Sequence, residues 1–398
     1  MKYFFIFGNN PSLSLAELTS IFPHLVFDVV GKNFCIVQHK DPLDCNKLQQ
    51  KLGGTIKIGE IFDEVDIRMV SDNESLTETL YQHLPETDDK KLSLGISIYG
   101  NSSGGRPIMQ KKDILKLGMM LKKTIRSGAK KKSVRFVTSK ELTLSSVVVK
   151  TNHLLDDNGV ELVFLAHQSK MYLGKTLTVQ EFTAYSTRDY GRPARDDLSG
   201  MLPPKLAQIM INLAGEFDEH SLLLDPFCGS GTILQEAALI GYKNIYGSDR
   251  SQKAIQNTIE NIAWLQKKLS QFFDAHITVK QRDTTKLTLD HQSCSVDKIV
   301  TEPYLGPALR ENPSFHVLTG ILEELEQLYF SSFKTFHKIL KPKGRIVFIF
   351  PVFDRNKTIT NIDDILAIGF ECIEYPNTLL YARDDQKIRR MIQVFRKR

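Results

Sequence analysis

Three carboxylates and one glycine turn set out the chemistry this sequence can do. The run Leu224-Asp225-Pro226-Phe227-Cys228-Gly229-Ser230-Gly231-Thr232 stands between a strand-like and a helix-like stretch. Its two glycines permit a tight turn at the end of a parallel strand, where a ligand can approach the backbone. No Gly-Lys-Ser/Thr follows, and the third glycine of a dinucleotide fingerprint is absent, so the turn is not a phosphate cradle. Asp225 would repel a pyrophosphate and suits a cationic amino group. Asp249, 24 residues on and followed by Arg250, ends the next strand, where a carboxylate accepts from ribose hydroxyls. Asp283, followed by Thr284, ends the third and is placed to receive the exocyclic amine of an adenine.

A ligand with an amino group, a ribose and an adenine but no phosphate is S-adenosylmethionine. The expected cofactor residues are Asp225, Pro226, Phe227, Cys228, Gly229, Ser230, Gly231, Asp249, Arg250, Asp283 and Thr284. Asp225–Thr232 resembles motif I of class I S-adenosylmethionine-dependent methyltransferases. Asp249 and Asp283 fall where motifs II and III of that family would.

Val300-Thr301-Glu302-Pro303-Tyr304-Leu305-Gly306 ends the fourth strand. An exocyclic amine is a poor nucleophile because its lone pair is delocalised into the base, so an enzyme must hold the nitrogen pyramidal and in line with the sulfonium. A carboxylate and a backbone carbonyl can accept the two amino hydrogens while an aromatic ring stacks on the base. Glu302, Pro303 and Tyr304 are the expected catalytic residues. The segment resembles the Asp/Asn-Pro-Pro-Tyr motif of amino-group methyltransferases with three departures. Glu302 takes the acidic place, one proline is missing, and the aromatic comes one position early. The longer carboxylate moves its oxygens by roughly one bond, which can detune a reaction sensitive to ~1 Å.

These residues need elements to hold them. From Leu206 on, short apolar strand candidates (Leu222–Leu224, Asn244–Gly247, Ala275–Val279, Lys298–Thr301, Arg345–Phe350) alternate with amphipathic stretches such as Gln252–Leu265. That pattern predicts a parallel sheet covered on both faces. Glu371–Tyr381 and Arg389–Phe395, with no helix between them, predict an antiparallel hairpin closing it. The expected fold class is α/β, with a C-terminal doubly wound, seven-stranded, Rossmann-like methyltransferase domain.

Residues 1–65 read as a small ferredoxin-like α/β module, and a new unit is expected near Asp66. Ser71–Lys91 is polar and acidic. Ile114, Leu117, Leu121 and Ile125 place one apolar face on a helix over Lys111–Ile125. Thr138 and Glu141 stand in capping-box register for a second helix over Leu142–Val149. Val160–Ala166 and Met171–Leu173 read as a hairpin. Residues 182–204 lack a sustained period and are expected to be an ordered linker, with residues 205–398 forming the methyltransferase domain.

Tyr185–Gln208, with Arg192-Pro193 and Leu202-Pro203-Pro204-Lys205-Leu206-Ala207, resembles the linker and first helix of THUMP-containing tRNA guanosine-N2 methyltransferases, of the archaeal and eukaryotic guanosine-10 type. Val160–Leu177, with Tyr172-Leu173-Gly174, is similar to the closing strands of a THUMP domain. The resemblance implies N2-methylation of a guanosine in tRNA, an RNA-holding region at 66–181, and in some relatives a small activating subunit that binds zinc. Two alternatives stand beside it. One is an rRNA or DNA amino methyltransferase of the same fold, with the THUMP-like segment disfavouring DNA. The other is a non-catalytic RNA-binding protein that keeps the cofactor fold, motivated by the altered Glu302 motif.

Charge supports an RNA partner. The chain of 398 residues carries a net +6, yet Lys111–Arg135 alone holds ten basic residues against one acidic. The rest is therefore net acidic. Lys111, Lys112, Lys116, Lys122, Lys123, Lys130, Lys131 and Lys132, with the linker arginines Arg188, Arg192 and Arg195, are the expected phosphate contacts. The five cysteines are scattered and form no CxxC or Cys/His cluster, so neither a disulfide framework nor a metal site is indicated. No apolar run reaches the ~18 residues of a membrane helix, and Tyr3–Phe7 is too short for a signal-peptide core, so a cytoplasmic location is expected.

Overall fold

The computed structural model describes residues 1–68, 72–86, 91–101, 108–128, 133–195, 201–269, 274–307, 314–353, 357–359, 362–382 and 388–398. The chain divides into two compact units. The first comprises Met1–Pro11, His24–Gln50 and Thr55–Phe182; the second comprises Ser12–Pro23, Lys51–Gly54 and Thr183–Arg398. Among the described residues, no helix is long and apolar enough to cross a membrane.

The first unit is built on β1 (Lys2–Phe7), β2 (Val26–Val30), β3 (Phe34–Gln38) and β4 (Thr55–Asp66), then β5 (Lys91–Gly100), β6 (Ser133–Val137), β7 (Gly159–His167) and β8 (Lys170–Val179). Its helices are α2 (Cys45–Lys51), α3 (Asn73–Gln82), α4 (Lys111–Ser127) and α5 (Ser146–Thr151), while α1 (Pro11–Ile21) belongs almost wholly to the second unit. The strand order is β2-β3-β1-β4-β8-β7-β5-β6. Its first four strands follow the ferredoxin-like order, with β1 antiparallel to both β3 and β4.

The sheet runs on through residue 66, where the sequence suggested a new unit, because β4 is twelve residues long and pairs with β8 as well as β1. A fully buried ion pair reinforces that join. Lys57 on β4 donates to Glu161 on β7 at 2.5 Å and to the Leu144 carbonyl, and Ser97 and Thr176 donate to the same carboxylate. Such a pair is tolerable in a core only when its remaining hydrogen-bonding capacity is also met.

One local expectation fails here. Thr138 and Glu141 do not cap a helix; Ser145 does, accepting from the Val148 N–H, and residues 138–144 form a loop whose Leu144 N–H bonds to Ser97. The polar stretch after 71 contains α3, which buries Leu76, Thr77 and Leu80 and is capped by Asp72. The helix over the lysine run is present as α4, burying Ile114, Leu117, Leu121 and Ile125.

The second unit carries the site. After α6 (Phe182–Tyr190) and α7 (Pro204–Leu213) come β9 (Leu222–Asp225), α8 (Thr232–Ile240), β10 (Asn244–Asp249), α9 (Gln252–Lys268), β11 (His276–Gln281) and β12 (Val296–Thr301). They are followed by α10 (Phe315–Ile339), β13 (Leu340–Val352), α11 (Ile362–Ala367), β14 (Phe370–Ile373), β15 (Leu380–Tyr381) and β16 (Arg389–Lys397). The order is β11-β10-β9-β12-β13-β16-β14, with β15 added on β16. The first five of these strands pair in parallel, and β16 runs antiparallel to β13 and β14, as the apolar runs and the final hairpin predict.

Apolar side chains fill both faces. One core gathers α7, α8 and α9 around Leu223, Val300 and Val347; the other packs α10 on Leu224, Ile299, Phe348 and Phe350. β9 is buried on both sides, which its three successive leucines allow. The expected linker is partly helical: α6 covers its first nine residues.

Candidate cofactor and amine site

The parallel strands end side by side, and their tips carry Asp225, Asp249 and Glu302. Asp225 closes β9 and is almost wholly buried. Its carboxylate accepts from the Thr301 hydroxyl at 2.6 Å and the Phe227 N–H at 3.2 Å. Burial, reinforced by the charges of Asp249 and Glu302, pushes its carboxyl up to about 7 against those two hydrogen bonds. Among the described residues no cation neutralises it. A buried carboxylate held in that condition can receive a positively charged ligand group.

The turn after Asp225 is fastened from three sides. Cys228 donates its N–H to the Ser248 carbonyl, Thr258 donates its hydroxyl to the Gly229 carbonyl at 2.7 Å, and Asn261 donates to the Ser230 carbonyl at 3.0 Å. Gly229 (φ +52°) and Gly231 (φ +83°) occupy left-handed backbone that glycine adopts without a Cβ penalty. Their surroundings differ. A Cβ on Gly231 would lie 2.9 Å from Thr258 Cγ2, whereas one on Gly229 would meet nothing within 4 Å. The Gly229 side of the turn is therefore open, next to Asp225.

Asp249, at the tip of β10, accepts from the Gly229 N–H at 3.1 Å and the Ser251 N–H at 2.8 Å, so it braces the glycine turn. Arg250 is exposed beside it. Asp283 is exposed and caps a 3-10 turn over Thr284–Leu289, accepting from the Thr285 N–H and hydroxyl; those bonds hold its carboxyl below the usual range. Pro226 and Cys228 are buried, Phe227 is half-buried, and burial drives the Cys228 thiol up. Thr284 departs from its expected role: its hydroxyl is buried against Ser332 of α10 at 3.0 Å. It joins the 3-10 turn to that helix and does not face a ligand.

Glu302 follows β12 directly, and its side chain is only 15% exposed. Arg390, near the start of β16, donates its Nε–H to Glu302 Oε1 at 2.5 Å. Burial raises the Glu302 carboxyl, and Arg390 opposes that rise. Pro303 is buried, while Tyr304 is 46% exposed and open for stacking. The Tyr304 carbonyl accepts from Tyr329 on α10 at 2.7 Å, which anchors the turn. Thr301, Thr258, Asn261, Tyr329 and Arg390 were not singled out from the sequence. Each acts on a partner at least 25 residues away, so no local spacing marks it.

Two of the linker arginines depart from the expected RNA contacts. Arg188 is largely buried in a two-pronged pair with Glu236 of α8, Nε to Oε1 at 2.6 Å and Nη2 to Oε2 at 3.2 Å. Arg192 is buried and donates to the Thr232 hydroxyl at 2.6 Å, with Asp189 at 3.8 Å. A guanidinium enclosed in this way has no face for a phosphate, and both fasten the linker onto α8. Arg195 stays exposed, lying over the Tyr190 ring.

Residues 192–362 match the UPF0020 family, described as an RMKL-like methyltransferase domain. This stretch is similar to the methyltransferase domain of that family. Its tips bring together Asp225, Asp249 and Glu302, three of the positions expected to do the chemistry. The chain is 28% identical over 184 residues to "tRNA (guanine(10)-N2)-dimethyltransferase" of Methanocaldococcus jannaschii, spanning 45% of this chain and 47% of that protein. It is 37% identical over 107 residues to the protein of the same name from Methanothermobacter thermautotrophicus, spanning 27% of this chain and 28% of that one. The chain thus aligns with less than half the length of these relatives.

Across its whole length the fold is similar to that of TrmN from Thermus thermophilus, with TM-score 0.55, 17% identity and 100% of both chains covered. It is also similar to a possible methylase from Clostridium difficile 630, with TM-score 0.53, 14% identity, and 98% and 97% covered. The chain therefore shares the fold of these structures.

Proposed function

We propose that the chain methylates the exocyclic N2 amino group of a guanosine in tRNA, using S-adenosylmethionine. The observation that carries this reading is the 28% identity over 184 residues to a relative named for that reaction. The chemistry of the site fits the cofactor: a buried carboxylate without a cation stands beside an open glycine turn. In this reading Asp225 receives the cationic amino end, Gly229–Gly231 allow close approach, Asp249 and Asp283 take the ribose and adenine, and Arg250 flanks them.

When bound, S-adenosylmethionine supplies an electrophilic methyl group and leaves as the uncharged thioether. Glu302 accepts a hydrogen bond from the guanine amine, Tyr304 stacks on the base, and the Pro303 turn holds both at the sheet edge. The amine proton departs after transfer, so no strong general base is required. Within the first unit, the stretch 66–181 serves as the THUMP-like RNA-holding part, on a sheet continuous with the ferredoxin-like strands of 1–65. Residues 182–204 are the linker and 205–398 the catalytic domain, acting in the cytoplasm. The phosphate contacts retained are Lys111, Lys112, Lys116, Lys122, Lys123 and Arg195; Lys130, Lys131 and Lys132 lie outside the described residues.

The test is labelled cofactor with a mixed tRNA pool, followed by nucleoside analysis. Label in N2-methylguanosine is the expected result. Label in adenosine or cytidine would move the target base, and none at all despite cofactor binding would remove the activity.

A further inference from the structure

Of the three departures of the Glu302 motif from the Asp/Asn-Pro-Pro-Tyr pattern, one is an extra methylene in its acid, and the structure supplies a cation where that methylene leads. Glu302 stands at the tip of β12, and Arg390 stands near the start of β16, on the far side of β13 in the same sheet. Because β16 runs antiparallel, its first residues lie at the edge where the parallel strands end, and Arg390 pairs with Pro351 there. The guanidinium reaches along this edge to Glu302 Oε1 at 2.5 Å, and both side chains are largely enclosed, 5% and 15% exposed.

We propose that Arg390 is a positioning residue for methyl transfer: it fixes the carboxylate of the longer Glu302 by one oxygen and keeps it ionised, presenting the other oxygen to the amine. The inference rests on the methyl-transfer reading above and assigns the altered motif a partner within the same chain.

The charges around Glu302 make the requirement plain. Asp225 on β9 and Tyr329 on α10 face it electrostatically, and neither is cationic. Burial favours the neutral acid, and among the described residues Arg390 supplies the opposing influence. A neutral acid would present an O–H where the reaction needs an acceptor. The bond also removes side-chain freedom. Glutamate has one more rotatable bond than aspartate, and a guanidinium holding one oxygen restricts where the second can lie. Glu302 and Arg390 thus act as a unit.

The test is the pH dependence of transfer, measured as kcat/KM on tRNA, for the wild type, Arg390→Gln and Arg390→Lys. Cofactor affinity and thermal melting are followed in parallel. In Arg390→Gln the acidic limb should move to higher pH by a unit or more, while cofactor affinity stays within about threefold. Arg390→Lys should return the limb part of the way. At a pH above both limbs the glutamine variant should still lose at least tenfold in kcat from lost orientation. Glu302→Asp should also lose rate, since shortening draws the carboxylate away from Arg390.

A glutamine variant that melts like wild type and keeps an unshifted limb would overturn the positioning role, and so would a gain in rate from Glu302→Asp. If Arg390→Gln does not fold, the lysine variant and Glu302→Asp decide by the same two signs. A wild-type protein that transfers no methyl to any tRNA would instead defeat the activity itself. The two failures are therefore told apart by the wild-type arm.

Discussion

Asp225 shows how one buried group couples ligand charge to pH. Its carboxyl lies near 7 in the folded chain against an ordinary 3.8, so the fold gains from its protonation at low pH and loses that gain as pH rises through about 7. A cationic ligand favours the ionised form. Cofactor binding near pH 6 should therefore release a proton, and affinity should rise with pH by at most tenfold per unit until about 7. Calorimetry in two buffers of different ionisation heat measures the release; proton uptake would contradict it. Asp225→Asn should bind weakly and without this pH dependence. The two glycines beside it predict a contrast. Gly231→Ala drives a Cβ to 2.9 Å from Thr258 in left-handed backbone, a strain of roughly 1–3 kcal/mol visible in melting. Gly229→Ala meets open space but enters the same left-handed backbone, so it should cost about 1 kcal/mol, less than Gly231→Ala, while lowering cofactor affinity by an order of magnitude or more. Equal effects of the two on affinity and melting would mean the open side is not where the ligand lies.

Among the elements, α1 has the least expected place. It precedes β2 in the chain, yet its residues 12–21 belong to the second unit, together with the Lys51–Gly54 turn. Glu17 of α1 is fully buried and accepts from the Gly53 and Gly54 N–H groups and from Asn212 of α7, each at 2.7–2.8 Å. Burial nonetheless pushes its carboxyl up to about 7. Glu17→Ala leaves those donors without their acceptor and should cost about 2–4 kcal/mol in a denaturant melt of the full chain. A loss below about 0.5 kcal/mol would show that the turn finds other partners. The same geometry explains what the sequence could and could not convey. The Asp225–Thr232 turn, the apolar strands and the amphipathic α4 and α9 were legible because each is specified by neighbours along the chain. Glu17 to Asn212, Thr301 to Asp225 and Glu302 to Arg390 join residues 195, 76 and 88 positions apart, and no local pattern encodes them. Arg188 and Arg192 were misread for the same reason. An Arg-rich segment looks ready for phosphate until Glu236 and Thr232 of α8 are seen beneath it.

For the whole molecule, the proposed hold on a large polyanion takes a measurable form in the charge distribution. The net excess of basic residues lies in Lys111–Arg135, and on α4 Lys111, Lys112, Lys116 and Lys123 are exposed with Lys122 half-buried, opposite the face that buries Leu117 and Leu121. This leaves a cationic stripe whose apolar side is already committed to the first unit's core. Each phosphate contact from such a stripe releases counterions, so affinity falls with salt in proportion to the number of contacts. Replacing Lys116, Lys122 and Lys123 together by glutamine should weaken tRNA binding across all sequences and reduce the slope of log affinity against log salt by about 2–3. Cofactor affinity should be unaffected, because these residues lie outside the second unit, which holds the strand tips. Filter binding at several salt concentrations with one tRNA and one unrelated RNA of equal length reads the slope directly. An unchanged slope would remove α4 from the RNA surface and leave exposed Arg195 as the first residue to test in its place.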